Sequence, residues 1–161
     1  MDIRTGIGYD LHRLAKNRRL VLGGIEIAST LGLDGHSDAD CLLHALCDAL
    51  LGSIGEDDIG THFPDTDPAY AGASSKRFVI DAADMVRQKG YRISNVDCII
   101  FAEAPRLGAI KPDIRRELAR MLGIPEDRIA IKAKSGENVG VIGRSEAIAA
   151  MVTVLIIRGE R

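Results

Sequence analysis

Tryptophan is absent, and aromatic residues make up only 4% of the chain, too few for the stacking platforms of a single-strand nucleic-acid binder. Net charge is −2. Nothing basic invites nucleic acid or a membrane surface, so any phosphate site must rest on a few local cations. No apolar run could span a bilayer, and no basic segment followed by an apolar stretch opens the chain. The three cysteines (Cys41, Cys47, Cys98) are an odd number without metal-type spacing. In apolar surroundings they read as reduced core thiols of a cytoplasmic protein. Repeats, low-complexity segments and linkers are also missing, so residues 1–161 read as one soluble domain. That length supports a real core but is small for a closed active site, a problem that a site between subunits would solve.

What the chain does have is concentrated in residues 34–60. Ser37, followed by Asp38 and Asp40, predicts a helix start, with a capping hydroxyl and acids at the positive end of the dipole. Leu42, Leu43, Leu46, Leu50 and Leu51 recur at helical spacing, with Gly52 as the stop. Asp40, His44 and Asp48 fall four apart and predict a polar stripe. A solvated face with an incidental histidine would give the same pattern. His36 stands just before the helix, where an anion could bind. Upstream, Ile3 to Tyr9 alternates as a strand leading into Asp10-Leu11-His12. Residues two apart in an extended segment point the same way, so Asp10 and His12 present a carboxylate and an imidazole together. With His44 they form a zinc-type donor set of three, which leaves one tetrahedral position free as catalytic zinc sites do.

Elsewhere the pattern predicts a hairpin over 18–27 turning at Gly23-Gly24, and a surface loop over 58–68 rich in aspartate and proline. A helix capped by Ser74 or Ser75 should run to Gly90. Val96 to Ala102 reads as a strand buried on both faces, and a helix carrying Pro112 in its first turn ends at Gly123. Strands follow over 129–133 and 147–157, separated by a Gly-rich loop (134–144) able to hold a phosphate and a cation. The fold class is α+β: a two-layer sandwich with a mixed sheet of about four main strands, helices on one face, and a short hairpin.

Asp10-Leu11-His12, Gly35-His36-Ser37-Asp38-Ala39-Asp40, His44-Ala45-Leu46, Asp58-Ile59-Gly60, Phe63-Pro64-Asp65-Thr66-Asp67-Pro68 and Gly143-Arg144 occur in that order. Together they closely resemble the 2-C-methyl-D-erythritol 2,4-cyclodiphosphate synthase family of the non-mevalonate isoprenoid pathway. The resemblance covers essentially the whole chain. It implies a homotrimer with active sites at subunit interfaces, and a phosphorus–oxygen lyase. The substrate would be 4-diphosphocytidyl-2-C-methyl-D-erythritol 2-phosphate, and the products the cyclic diphosphate and CMP. It further implies that Asp10, His12 and His44 bind zinc and that Glu137 binds a second cation, magnesium or manganese. His36, with Ser37, would contact the phosphates and stabilise their developing charge, and Ser135 would place a hydroxyl on the diphosphate where the family has threonine. Asp10, Leu11 and His12 would border the substrate. Asp58, Ile59 and Gly60 would hold the erythritol hydroxyls beside a loop of Phe63, Pro64, Asp65, Thr66 and Asp67. Ala102, Glu103, Ala104, Pro105, Arg106, Leu107 and Gly108, with Ala133, Lys134 and Gly136, would surround the cytidine and its phosphate. Arg106 stands where lysine is common, and Asn138-Val139 where the family has lysine and a larger apolar residue. Val141 replaces a phenylalanine often lining the trimer-axis cavity, which weakens the case for prenyl diphosphate binding beside Arg144.

The chemistry this implies is intramolecular: the 2-phosphate oxygen attacks the β-phosphorus and CMP leaves. Charge neutralisation and alignment are then the main tasks. No general base is needed, because the attacking oxygen is already anionic. A zinc phosphohydrolase would use the same three ligands to deliver water, and a trimeric metabolite sensor would use the metal structurally.

Overall fold

In a computed structural model describing residues 2–70 and 72–159, the backbone forms a five-stranded mixed sheet, a separate hairpin, and helices on one sheet face. The strands are β1 (Ile3–Lys16), β2 (Leu20–Leu22), β3 (Ile25–Ile27), β4 (Leu31–Leu33), β5 (Tyr91–Phe101), β6 (Ile129–Lys134) and β7 (Ala147–Arg158). Sheet order is β4-β1-β7-β5-β6, with β5 and β6 parallel and the other pairs antiparallel. β2 and β3 make the hairpin, turning at Gly23-Gly24, both in the left-handed region. The helices are α1 (Cys41–Ser53), α2 (Ile59–His62), α3 (Ser75–Gln88), α4 (Lys111–Leu122) and α5 (Gly140–Gly143).

The four main strands and three long helices match the sequence reading, and several details correct it. β4 is an unforeseen fifth strand, too short to show alternation. β1 does not stop at Tyr9 but continues to Lys16, so Asp10 and His12 lie within it. Two short helices, α2 and α5, interrupt stretches that read as loops. β5 is buried on one face only: Val96, Cys98 and Ile100 face the helices, while Asp97, Ile99 and Phe101 are half-exposed on the other side.

α1 is the central helix, buried except along the line His44, Asp48, Gly52. It lies directly on β1 because Gly6 and Gly8 have no side chains. A Cβ at Gly6 would fall 1.9 Å from the Ala49 carbonyl oxygen, and one at Gly8 2.0 Å from that of Ala45. The same face of β1 continues with Asp10 and His12, which therefore meet the next turn of α1. The predicted stripe loses its first member. Asp40 is fully buried and accepts from Gly23 N (3.0 Å), Gly24 N (2.7 Å) and Leu43 N (3.1 Å). It, and not Ser37, caps α1, joining the helix to the hairpin. Burial pushes its carboxyl up to about 6 against the pull of those three N–H groups. Asp48 stays half-buried and holds Ile59 N at 2.8 Å, fixing α2 to α1.

Candidate functional site

Three donor atoms from two elements converge beside α1. His12 Nε2 and His44 Nδ1 each lie 3.0 Å from Asp10 Oδ2, and the two nitrogens are 3.2 Å apart. Ligands about 2.0–2.1 Å from a tetrahedral zinc ion sit roughly 3.3 Å from one another, so the spacing suits such an ion. Orientation suits it too. His12 Nδ1 lies 2.8 Å from the Asp34 carbonyl oxygen, which can only accept. Nδ1 therefore carries the hydrogen, and Nε2 turns a lone pair inward. Among the described residues no fourth His, Cys, Asp or Glu joins the cluster. All three cysteines are free and buried, with burial pushing the Cys47 thiol well above its usual range and Cys98 up to about 12.

The cluster attracts positive charge. Burial alone would raise the Asp10 carboxyl, but hydrogen bonds and charge from His12 and His44 outweigh it and hold Asp10 well below the usual carboxylate range. Burial likewise disfavours a charged His12, yet Asp10 prevails and raises it.

The histidines open onto a cavity of about 460 Å³ whose other lining includes His36, Ser37, Ile59, Gly60, Phe63 and Asp65. Of the residues expected around the erythritol, Ile59, Gly60, Phe63 and Asp65 are brought together here, beside His36 and Ser37, which were expected at the phosphates. Asp58 lies outside it, capping α2 by accepting from Thr61 N (3.0 Å). Pro64, Thr66 and Asp67 belong to the adjoining loop without lining the cavity, and Leu11 faces the opposite side of the sheet. Several contributors were missed: Asp34, Gly35, Tyr70 and Phe78. Phe78 read as core and is nearly buried, but its ring stacks with Phe63 and Tyr70 (centroids 4.8 and 5.6 Å apart) to form an apolar wall. Among the described residues, no lysine or arginine lines this cavity.

A second cavity, about 450 Å³, opens at the carboxyl ends of β5 and β6. Ala102, Glu103, Pro105, Arg106, Leu107, Gly108, Ala133, Lys134, Ser135 and Glu137 line it, with Lys111 of α4 as an addition the sequence did not suggest. Ala104, joined to Pro105 by a cis peptide, and Gly136 sit behind the lining. Gly136 N donates to Glu103 Oε2 at 3.0 Å. Ser135 Oγ donates to Glu137, an exposed carboxylate with a left-handed backbone. An exposed carboxylate such as Glu137, with lysine and arginine side chains in the same cavity, is a donor that magnesium or manganese can accept, since these ions keep several waters. Among the described residues, the two cavities share no lining residue. Val141 lines a third, with Leu11 and Glu146, on the sheet's other face. Arg144 lies beside it, its Nε 2.7 Å from Glu146 Oε1.

Comparison with known proteins shows the family and the fold. The sequence profile described as the YgbB family matches residues 3–157. The 2-C-methyl-D-erythritol 2,4-cyclodiphosphate synthase of Ralstonia nicotianae is 51% identical over 160 residues, covering 99% of this chain and 95% of that protein. The bifunctional IspDF of Campylobacter jejuni superposes with a TM-score of 0.95 at 39% identity, over 99% of this chain and 43% of that longer one. The IspF–CDP complex of Plasmodium falciparum gives a TM-score of 0.87 at 34% identity, covering 98% of this chain and 97% of that one. Donor trio, paired cavities and these likenesses lead to one conclusion: the chain belongs to the YgbB family, among the 2-C-methyl-D-erythritol 2,4-cyclodiphosphate synthases.

Proposed function

We propose that this enzyme of the non-mevalonate isoprenoid pathway converts 4-diphosphocytidyl-2-C-methyl-D-erythritol 2-phosphate to the 2,4-cyclodiphosphate and CMP, as a cyclising phosphorus–oxygen lyase. The observation that carries this reading is the division between the cavities. One is lined by His12 and His44 of the donor trio and by an apolar wall, with no lysine or arginine among the described residues. The other gathers Arg106, Lys111 and Lys134 around a space of nucleotide size. A substrate with a phosphorylated polyol at one end and a cytidine diphosphate at the other needs both.

Zinc on Asp10, His12 and His44 would supply Lewis-acid charge near the β-phosphate, and magnesium or manganese on Glu137 would balance the departing CMP. The chain's own residues do the rest. His36 and Ser37, at the metal cavity, donate to phosphate oxygens as negative charge concentrates there, and the Ser135 hydroxyl does so from the nucleotide side. Ile59 and Gly60, fastened through Asp48, set the polyol with Asp58 close by. Phe63, Tyr70 and Phe78 keep water from that end, so the internal phosphate is the nucleophile. Holding the folded substrate in line can contribute up to roughly 7–11 kcal/mol.

A homotrimer would complete the site. The sheet's helix-free face carries Ile7 and Tyr9, 64% and 53% exposed, beside Ile3 and Leu11, an apolar patch of the kind that marks an interface. Within one chain the row Leu11, Ala149, Phe101, Lys134 spans three strand spacings, roughly 14 Å. Pairing one subunit's metal cavity with its neighbour's nucleotide cavity joins the two. No described helix is long and apolar enough to cross a membrane, and the reduced, buried cysteines suit the cytoplasm.

Phosphorus NMR of purified protein with the cytidine substrate, zinc and magnesium tests the reading. CMP and a cyclic diphosphate are expected. Linear phosphate products would point to the hydrolase instead, and sedimentation at the mass of one chain would remove the trimer.

A further inference from the structure

We infer that Ser75 and Asp38 are positioning residues for His44, committing its Nδ1 lone pair to the metal; this rests on the zinc reading above. The outer nitrogen of His44, Nε2, lies 2.9 Å from Ser75 Oγ and 3.1 Å from Ser37 Oγ. A hydroxyl can donate or accept, so neither contact alone says which ring nitrogen carries the hydrogen. Asp38 decides it. Its Oδ2 accepts from Ser75 N at 3.0 Å and its Oδ1 from the Ser75 hydroxyl. With the hydroxyl hydrogen given to the carboxylate, Ser75 Oγ turns lone pairs toward His44 and accepts from Nε2–H. Nδ1 is then bare and faces Asp10 and His12.

The two serines differ in permanence. Ser37 lines the cavity, where a phosphate can draw its hydroxyl away. Ser75 is fully buried at the first turn of α3, held by two bonds to one carboxylate. It keeps the ring in place whether or not substrate is bound. Partners of this kind on the far nitrogen of a ligating histidine typically change metal affinity 10–100-fold.

Asp38→Asn gives an unusual prediction. Two backbone N–H groups face the Asp38 carboxylate, Ser75 N on Oδ2 at 3.0 Å and Asp40 N on Oδ1 at a longer 3.3 Å, so the amide oxygen keeps the shorter bond to Ser75 N and the amide NH2 faces Ser75 Oγ. The hydroxyl hydrogen is then pushed toward His44 Nε2, opposing the tautomer that leaves Nδ1 free. Zinc affinity, measured by chelator competition on the full chain, should fall about ten-fold or more in Ser75→Ala and at least as far in Asp38→Asn. Ser37→Ala should stay within about two-fold of the parent, since Ser75 still holds the ring. Thermal melts of the metal-free proteins separate a packing role, which would lower the midpoint without moving zinc affinity. Variants that bind zinc like the parent, or a Ser37→Ala loss equal to that of Ser75→Ala, overturn the inference alone. A parent that binds no zinc overturns the metal reading and this inference with it.

Discussion

The two cavities, proposed above to take metal and nucleotide, are built by different means. The first is set by regular structure: β1 and α1 are pressed together at Gly6 and Gly8, and the donors project from that contact. The second is set by strand ends and loops after β5 and β6, with cationic side chains and a left-handed Glu137. Rigid elements hold an ion's ligands to within tenths of an ångström, whereas a flexible nucleotide needs charge and adjustable contacts. Substitutions in the first should therefore act all-or-none, and those in the second by degree.

The sharpest contrast comes from His44→Ala, which should abolish stoichiometric zinc by elemental analysis and lower kcat by about 10³-fold or more. Wild-type metal content in that variant would refute the donor set. Asp40→Asn strikes the frame beneath it. An amide cannot accept from Gly23, Gly24 and Leu43 together, so unfolding free energy should drop by about 2 kcal/mol, read as a thermal midpoint lowered by several degrees. Glu137→Gln tests the graded side: the magnesium needed for half-maximal rate should rise about ten-fold, with zinc still bound. An unchanged magnesium requirement would remove Glu137 as the second ligand. Val141→Phe should matter least, with turnover within about two-fold of the parent, because Val141 lines neither cavity.

Much of the metal cavity was legible because its logic is local. Two-residue spacing placed Asp10 and His12 on one side of a strand, and helical spacing put His44 and Asp48 on one line of α1. Strand and helix periodicity likewise revealed the four main strands and three long helices. What escaped depends on contacts between distant segments. Asp40 looks like a first-turn acid, and nothing nearby announces that its partners are backbone N–H groups 16 and 17 residues upstream. Ser75 looks like an ordinary helix cap until the fold brings it to a histidine 31 residues away. β4 is three residues with a central glycine, too brief for any periodicity. The apolar composition of β5 suggested burial on both faces, and its open side is the one assigned here to other subunits.

X-ray absorption at the zinc edge of the loaded protein addresses the donor trio most directly. One zinc per chain in a shell of light donors, including two imidazoles and no sulfur, is the expected spectrum. A sulfur ligand, or zinc that washes out of the parent protein, would contradict the site.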